Sequence, residues 1–509
     1  MLRSNICFLA YIGWLIINGA LFQQQSVGIK MLTNLSVMCL AFGCAKLLTR
    51  HQRRLLCIIV GYGTVVACMG VIQTGFGINA RGEWVQVLLP SNPAVWGAWS
   101  GLGLLAVFAL WQEQRKGHIV WVVLCTSLLA LLLFSSSRSS WLGVMIGSAF
   151  LWNWPRIARY VKAHRFVALL IIIVVLAGCW GIYRYKQASA DGRLLIWKVS
   201  ISLIAKHPLT GQGQDAFRHH YLYAQADYFA RHPQAKEAIY ADNVIYPYNE
   251  LIKVVVESGL IGMILLVGLL VSAMMHKKQT FENKGLSALL LFMCVYGMFV
   301  YPSDVWSLKV LFFVLLGSLS ADRAMPARRK RMAYSLILLL SAVICMGIVH
   351  YARLKYMVEG QVTKGIAGKE PLASWWQSLR DYPALYERCV QQCALSVPSD
   401  TITLQMLEAA TRYIPSSSLF CHLGNCYLAQ GKVGSAEASY RQAGRMVPGR
   451  FLPHYKLFDL YRKDNRHQDA CEEAHAILSL PVKVDNTLTL KIRGEAKRFL
   501  RNMNNKGKN

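Results

Sequence analysis

Three arginines stand where a charged side chain could do chemistry beside apolar sequence. Arg138 is flanked by five serines in "SSSRSSW", Arg193 opens the stretch "RLLIWKVSISLIAKHPLTGQGQDAF", and Arg218 follows that stretch. A guanidinium stays charged in proteins and can place two parallel hydrogen bonds on phosphate oxygens. These residues could therefore bind a phosphate-bearing substrate, although Arg138 alone could equally be an anchor at a membrane interface.

A short helix must carry Arg193. Four apolar residues recur at helical spacing and would form one face: Leu194, Trp197, Ile201 and Ile204. Arg193 and Trp197 lie four residues apart and project from neighbouring positions. His207-Pro208 ends the helix, and Gly211 and Gly213 then provide a flexible turn. By itself the pattern is typical of an amphipathic helix on a membrane surface.

A third polar feature precedes a later apolar span. In "YPYNELIKVVVESGLIG", Tyr248 and Asn249 come before the span and Glu257 lies within its first turns. A lone carboxylate in a span suggests function. Gly259 and Gly262 alone would be ordinary packing residues.

The composition indicates a polytopic membrane protein. Of 509 residues, 54% are hydrophobic and 16% charged, whereas soluble domains carry about a quarter charged residues. We predict eleven spans of the length that a ~30 Å hydrocarbon core requires. They lie near 5–23, 31–49, 55–73, 93–111, 118–134, 139–153, 166–184, 250–275, 285–301, 305–321 and 332–351.

Lysine and arginine are unevenly divided between the gaps that separate these spans. The even-numbered gaps and Arg3 hold 18, and the short odd-numbered gaps hold 3, namely Lys30, Arg81 and Arg138. The excess of positive charge in cytoplasmic loops predicts a cytoplasmic N-terminus. It also accounts for the net charge of +29 without a nucleic-acid partner.

The predicted fold is all-α, with a membrane domain and an exported tail. Residues 1–351 form the polytopic helix bundle, which includes a large periplasmic loop at 185–249. Residues 352–509 form a helical domain on the same side of the membrane as that loop.

The tail has a helix–turn–helix rhythm. In "SLFCHLGNCYLAQGKVGSAEASYRQAGRMVPGR" the small, aromatic and proline residues fall at the spacing of a 34-residue repeat: Leu423-Gly424, Tyr427, Ala436, Tyr440, Ala443 and Pro448. Leu457, Tyr461, Ala470 and Ala474 recur one repeat later. The tail thus resembles the tetratricopeptide (TPR) repeat family. Such an α-solenoid could bind a protein partner on its concave surface or cap the membrane domain.

The three polar segments, in this order, resemble the O-antigen ligase / O-antigen polymerase superfamily, which includes protein O-oligosaccharyltransferases. The resemblance covers roughly residues 120–320. It rests on Ser137-Arg138; on Arg193, Trp197, His207-Pro208, Gly211, Gly213 and Phe217; and on Asn249, Ile252, Glu257, Gly259 and Gly262. Tyr248 stands where many members have a histidine that handles the acceptor, so that role does not carry over.

The resemblance implies transfer of a glycan from an undecaprenyl-diphosphate carrier to an acceptor hydroxyl at the periplasmic face of a bacterial inner membrane. A diphosphate leaving group needs positive charge where negative charge develops. Because residues 185–249 contain no DxD pair, we predict that Arg138 and Arg193, then Arg218, supply that charge without a metal or cofactor.

The sequence offers several candidates for the general base. Tyr248 could orient the acceptor, and Asn249 could fix the loop or a substrate hydroxyl. Other candidate bases are Asp242, Glu250, His219 and His220. The predicted substrate-binding residues are Trp197, Gly211, Gly213, Arg218 and Glu257.

Several functions fit these features. The acceptor could be lipid A-core, a growing glycan, or a serine or threonine of a protein, and the TPR-like tail favours a protein. A transporter of polysaccharide or lipid-linked sugar would show an inverted repeat with matching broken helices. A membrane-anchored scaffold would not need Arg138 and Arg193.

Overall fold

The computed structural model of the chain is built from helices. It describes residues 2–22, 28–47, 52–75, 92–113, 118–152, 187–275, 280–320, 327–363, 378–379, 382–482 and 486–506, together with isolated positions between 166 and 184. All regular elements within these ranges are helical, which confirms the predicted all-α class.

The described α-helices fall into three groups along the chain. The first group is α1 (Leu2–Phe22), α2 (Ile29–Leu47), α3 (Gln52–Gly75), α4 (Pro93–Glu113), α5 (His118–Phe134) and α6 (Arg138–Leu151). The second is α7 (Gln187–Lys206), α8 (Ala216–Arg231), α9 (Glu250–Met274), α10 (Phe281–Gly297), α11 (Trp306–Leu319) and α12 (Ala327–Thr363). The third is α13 (Pro383–Ser396), α14 (Thr401–Tyr413), α15 (Ser417–Ala429), α16 (Val433–Met446), α17 (Phe451–Lys463), α18 (His467–Ser479) and α19 (Thr487–Lys506). Short 3-10 helices lie at Lys236–Tyr240 and Pro302–Asp304.

Six of these helices contain segments long and apolar enough to cross a membrane. The segments are Ser4–Leu21, Ile29–Lys46, Gln52–Gln73, Pro93–Gln112, Glu250–Met274 and Ala333–Gly360, and α5 and α11 are shorter apolar helices. The chain is therefore a multi-pass membrane protein. The predicted span 166–184 lies outside the described residues apart from isolated positions, so the total of eleven remains a prediction.

The chain divides into two compact units. The bundle unit comprises residues 1–187, 208–214 and 246–347. The loop–tail unit comprises residues 188–207, 215–245 and 348–509. Most of the segment predicted as a periplasmic loop is thus grouped with the tail.

The core of the bundle unit is organised around α4. Ala98, Leu102 and Ala106 on this helix are fully buried. A Cβ atom at Gly101 would lie 2.8 Å from the ring of Phe292 on α10. Small residues on α4 therefore let neighbouring helices approach closely, as expected of helices packed in membranes.

The tail helices pack in consecutive pairs within the loop–tail unit. Tyr440 of α16 is fully buried, and its ring lies where a Cβ atom at Gly424 of α15 would be. Tyr461, Ala470 and Ala474 are buried in the next pair, α17 and α18. These contacts agree with the packing that the repeat spacing predicts. The identity of the tail as a TPR solenoid stays a prediction.

Helix α7 ends at Lys206, directly before His207-Pro208, as the sequence predicts. Its predicted apolar face is only partly covered, because Leu194 and Ile201 are 54% and 65% exposed while Trp197 and Ile204 are partly buried. A second set of apolar residues is buried instead: Leu195, Ile196, Val199 and Leu203. The single-face prediction was therefore incomplete, because spacing alone does not distinguish a face that meets protein from one that meets lipid or water.

Candidate functional site

A loop joined to a broken helix brings two of the sequence motifs together. Gly259 interrupts α9 with φ 69° and ψ −174°. Four backbone hydrogen bonds link residues 208–214 to the break: Gln212 N to Val256 O (2.9 Å), Gly213 N to Glu257 O (3.0 Å), Leu260 N to Pro208 O (2.9 Å) and Ile261 N to Leu209 O (3.2 Å). The loop thus satisfies polar backbone groups that the break exposes, as non-helical backbone in a membrane protein requires.

The junction explains one glycine of each motif. Gly211 and Gly259 have φ values of +73° and +69°, which residues with a side chain rarely adopt. A Cβ atom at Gly211 would overlap the backbone of Glu257, and one at Gly259 would overlap the carbonyl of Leu209. The two glycines therefore allow the two backbones to touch.

Helix α1 supports the same junction from a distant part of the sequence. The Trp14 indole N–H donates to the carbonyl oxygen of Ser258 (2.9 Å), and the Asn18 side-chain amide donates to the carbonyl oxygen of Thr210 (2.5 Å). Sequence reasoning missed both residues. An asparagine four residues after a tryptophan in an otherwise apolar span was the available signal.

Asn249 and Tyr248 shape the entry to α9. Asn249 caps the helix, because its side-chain oxygen accepts hydrogen bonds from the backbone N–H groups of Leu251 (2.9 Å) and Ile252 (3.2 Å). Tyr248 has a φ of +50° and contacts the ring of Tyr301 edge-on at 5.5 Å between ring centroids. The cap favours the loop-fixing role that was predicted as one option for Asn249.

Charged residues in the first turns of α9 meet the 3-10 helix Pro302–Asp304. Lys253 Nζ lies 2.6 Å from Asp304 Oδ2 and 3.0 Å from Ser303 Oγ. The backbone N–H of Ser303 donates to Glu250 Oε2 at 3.4 Å. Sequence reasoning missed Asp304, although a lysine within an apolar span implies an acidic partner. Glu250, a candidate base, therefore lies beside this ion pair.

The serines around Arg138 build a tight turn between α5 and α6. Ser136 has a φ of +50°, and the hydroxyl of Ser135 donates to the carbonyl oxygen of Leu132 (2.6 Å). The hydroxyls of Ser137 and Ser140 are hydrogen-bonded at 2.8 Å. These bonds fix Arg138 as the first residue of α6, where it is partly exposed.

Arg193, Trp197 and Arg218 lie in the loop–tail unit. Arg193 and Trp197 are partly buried on α7, and Arg218 is partly buried at the start of α8. Burial raises the pKa of Glu387 in the tail, and the nearby positive charge of Arg218 opposes that rise. Arg218 therefore faces an acidic side chain of the tail.

The two candidate histidine bases are neighbours on α8. The rings of His219 and His220 lie 6.2 Å apart, and His219 also contacts the ring of Tyr413. Partial desolvation, together with the charges of Lys206 and His207, lowers the pKa of His220. This shift favours a neutral imidazole near pH 7, which is the form that accepts a proton.

The structure thus divides the predicted site residues between the two units. The bundle unit holds Arg138, Gly211, Gly213, Tyr248, Asn249 and Glu257. The loop–tail unit holds Arg193, Trp197 and Arg218. Among the described residues there is no group of three or more His, Cys, Asp or Glu side chains arranged to hold a metal ion. The roles of all nine residues remain predictions.

A comparison with known protein families gives a match over the middle of the chain. Residues 122–267 match the family model described as O-antigen ligase. The matched segment contains the serine turn, the loop and the broken helix. No match was found among curated proteins or among solved structures.

Proposed function

We propose that this chain transfers a glycan from an undecaprenyl-diphosphate carrier to an acceptor hydroxyl, because residues 122–267 match the O-antigen ligase family model. The reaction would take place at the periplasmic face of a bacterial inner membrane. The N-terminus would lie in the cytoplasm, and the loop and tail would be exported, because the basic gaps would remain inside.

The junction between residues 208–214 and α9 is the observation that best supports this proposal. It unites two motifs that are separated in the sequence. Gly211 and Gly259 are required there by the close approach of the loop backbone to the helix backbone, and not by ordinary packing between helices. The junction fixes the backbone at Glu257 and, through the first turns of α9, at Tyr248 and Asn249. A transferase needs such fixed groups, because its catalytic power depends on holding donor and acceptor in a reactive geometry.

The proposed chemistry is a substitution at the anomeric carbon. The acceptor oxygen forms a bond to that carbon, and the bond between the carbon and the carrier diphosphate breaks. The electron pair leaves with the diphosphate, and the acceptor proton passes to a base or to water. Arg138 and Arg193 would bind the departing diphosphate, with Arg218 in a supporting role. Preorganised cations are effective there because the negative charge increases during the step.

Activity is expected to persist in excess EDTA. Arginines can balance diphosphate charge without a divalent cation, and the loop sequence offers no DxD pair. Purified protein, lipid-linked glycan and acceptor should give the same transfer rate with and without the chelator. Loss of transfer that Mg²⁺ or Mn²⁺ restores would contradict this prediction and assign the charge-balancing role to a metal.

The acceptor is best identified in cells. The TPR-like tail gives a specific reason to consider transfer to a protein, besides ligation to lipid A-core and polymerisation of repeat units. We expect a deletion strain to lose one class of glycan and to regain it with the wild-type gene. Loss of long lipopolysaccharide chains, of a polymer or of protein-linked glycan would each identify one acceptor. Unchanged glycans in all three classes would contradict the proposal.

Transport of a lipid-linked sugar is the alternative from another class. A broken helix such as α9 also occurs in transporters, which pair it with a second broken helix in a matching repeat. In the helices that the structure describes, Gly259 is the interruption found, with no matching break in a second helix. The family match and this asymmetry favour the transferase.

A further inference from the structure

A fully buried glutamine joins the predicted periplasmic loop to the tail. Gln225 lies on α8 and has no exposed surface. Its side-chain amide donates to the carbonyl oxygens of Met446 (2.6 Å) and Asp242 (3.2 Å), and its side-chain oxygen accepts from the Tyr221 hydroxyl (2.9 Å). One side chain therefore joins α8, the segment that leads to α9, and the end of tail helix α16.

Further contacts join the same segments. The Tyr223 hydroxyl donates to the carbonyl oxygen of Thr411 in α14 (2.7 Å), and the backbone N–H of Ser417 donates to the Asn243 side-chain oxygen (3.0 Å). Arg450 pairs with Asp242 at 2.9 Å, but this pair is exposed and should contribute little. The hydrogen bond from Gln225 to the Met446 carbonyl is buried, so no water can replace a lost donor there, and this bond should contribute most to the attachment.

Helix α7, which carries Arg193, is attached to the same assembly. Lys198 on α7 pairs with Glu237 at 3.1 Å and lies 5.0 Å from the centre of the Tyr228 ring on α8. A Cβ atom at Gly192, the residue before Arg193, would lie 3.9 Å from the Cβ atom of Tyr240. The position of α7 is thus linked through the loop to the tail.

We propose that the tail is a positioning element of the transfer site and that Gln225 is the residue through which it acts. The tail fixes α7 and α8 and thereby holds Arg193 and Arg218 in place for the donor diphosphate. This inference rests on the proposed function and extends it, because it gives the tail a role in catalysis beyond that of a partner-binding surface. Arginines that are fixed in position stabilise the departing diphosphate well, because their hydrogen-bond donors need no reorganisation as its negative charge develops.

The test uses two substitutions and a control in the full-length protein. Gln225→Leu removes the hydrogen bonds to the buried Met446 carbonyl and to the partly buried Asp242 carbonyl, and Tyr223→Phe removes one hydrogen bond while keeping the ring. Asp227→Asn changes an exposed residue of the same helix. Hydrogen exchange of residues 187–231 is measured beside transfer kinetics for the lipid-linked donor and for the acceptor.

We expect Gln225→Leu to accelerate exchange in α7 and α8 and to lower kcat/KM for the donor by about tenfold, since the buried Met446 carbonyl loses its donor. The KM for the donor should rise and the KM for the acceptor should stay unchanged, whereas loss of folded protein would lower the apparent kcat and leave both KM values unchanged. Tyr223→Phe should give a smaller effect of the same kind, about threefold. It carries the test by itself if Gln225→Leu does not fold. Asp227→Asn should match the wild type.

Two results would overturn this inference. Faster hydrogen exchange in α8 with unchanged donor kinetics would show that transfer does not depend on the attachment of the loop to the tail. Unchanged exchange in α7 and α8 would show that the tail does not fix them. If the wild-type protein transfers no glycan, the proposed function fails, while the exchange data still report whether Gln225 holds these helices.

Discussion

Replacing Arg138 or Arg193 with alanine is expected to lower the rate of glycan transfer by about 100-fold or more. Loss of one preorganised donor to a developing negative charge commonly costs ~3 kcal/mol of transition-state stabilisation. Lysine at either position should recover little activity, because an ammonium is a point charge and lacks the planar fork of a guanidinium. Transfer rates at matched amounts of membrane-inserted protein measure the effect.

The control for these variants is Arg231→Ala. Arg231 is an exposed arginine at the end of α8, in the same loop, and its Nε donates to the backbone carbonyl of Asp227. Its loss should leave transfer near the wild-type rate. If Arg138 and Arg193 were only interfacial anchors, lysine would replace both well. Near-full activity of both lysine variants would therefore remove these residues from the active site.

Replacing Gly259 with alanine is expected to prevent the junction between α9 and the loop from forming. The backbone of Gly259, with φ 69° and ψ −174°, lies in a region that is essentially restricted to glycine, where a side chain costs ~1–3 kcal/mol. Overlap of the new Cβ atom with the Leu209 carbonyl adds to that cost. Gly211→Ala should behave similarly, because its Cβ atom would meet the Glu257 backbone. Thermal unfolding of purified protein should show a lowered midpoint.

Gly268→Ala provides the matched control on the same helix. A Cβ atom at Gly268 would meet no atom within 4 Å, so the substitution should leave the unfolding midpoint unchanged or raise it slightly. Equal midpoints for Gly259→Ala and Gly268→Ala would contradict the role assigned to the junction.

The sequence predicts the local features of this protein well because each depends on neighbouring residues. The apolar lengths of α1 to α4 and α9, the end of α7 at His207-Pro208 and the pairing of Gly424 with Tyr440 all follow from spacing within a few turns. Glycine at 259 could be noticed in the sequence. The reason why this position requires glycine could not be predicted, because the carbonyl that excludes a side chain belongs to Leu209 in a different segment.

The contacts that sequence reasoning missed join distant segments. Asp304 meets Lys253, Trp14 meets the Ser258 carbonyl, and Gln225 meets the Met446 carbonyl. Two of these three use a backbone carbonyl as acceptor, which any residue type supplies, so the sequence carries no sign of the partner. The faces of α7 were predicted incompletely for a different reason. Leu195, Val199 and Leu203 also recur at helical spacing, so periodicity marks two apolar faces and does not tell which of them meets protein.

Reconstituted transfer tests the central claim most directly. Purified full-length protein is combined with an undecaprenyl-diphosphate-linked glycan and the acceptor identified from the deletion strain. We expect the glycosylated acceptor and free undecaprenyl diphosphate to form in equal amounts, and Arg138→Ala to reduce both together by about 100-fold or more. Movement of intact lipid-linked glycan across the membrane without either product would contradict the transferase account and support transport.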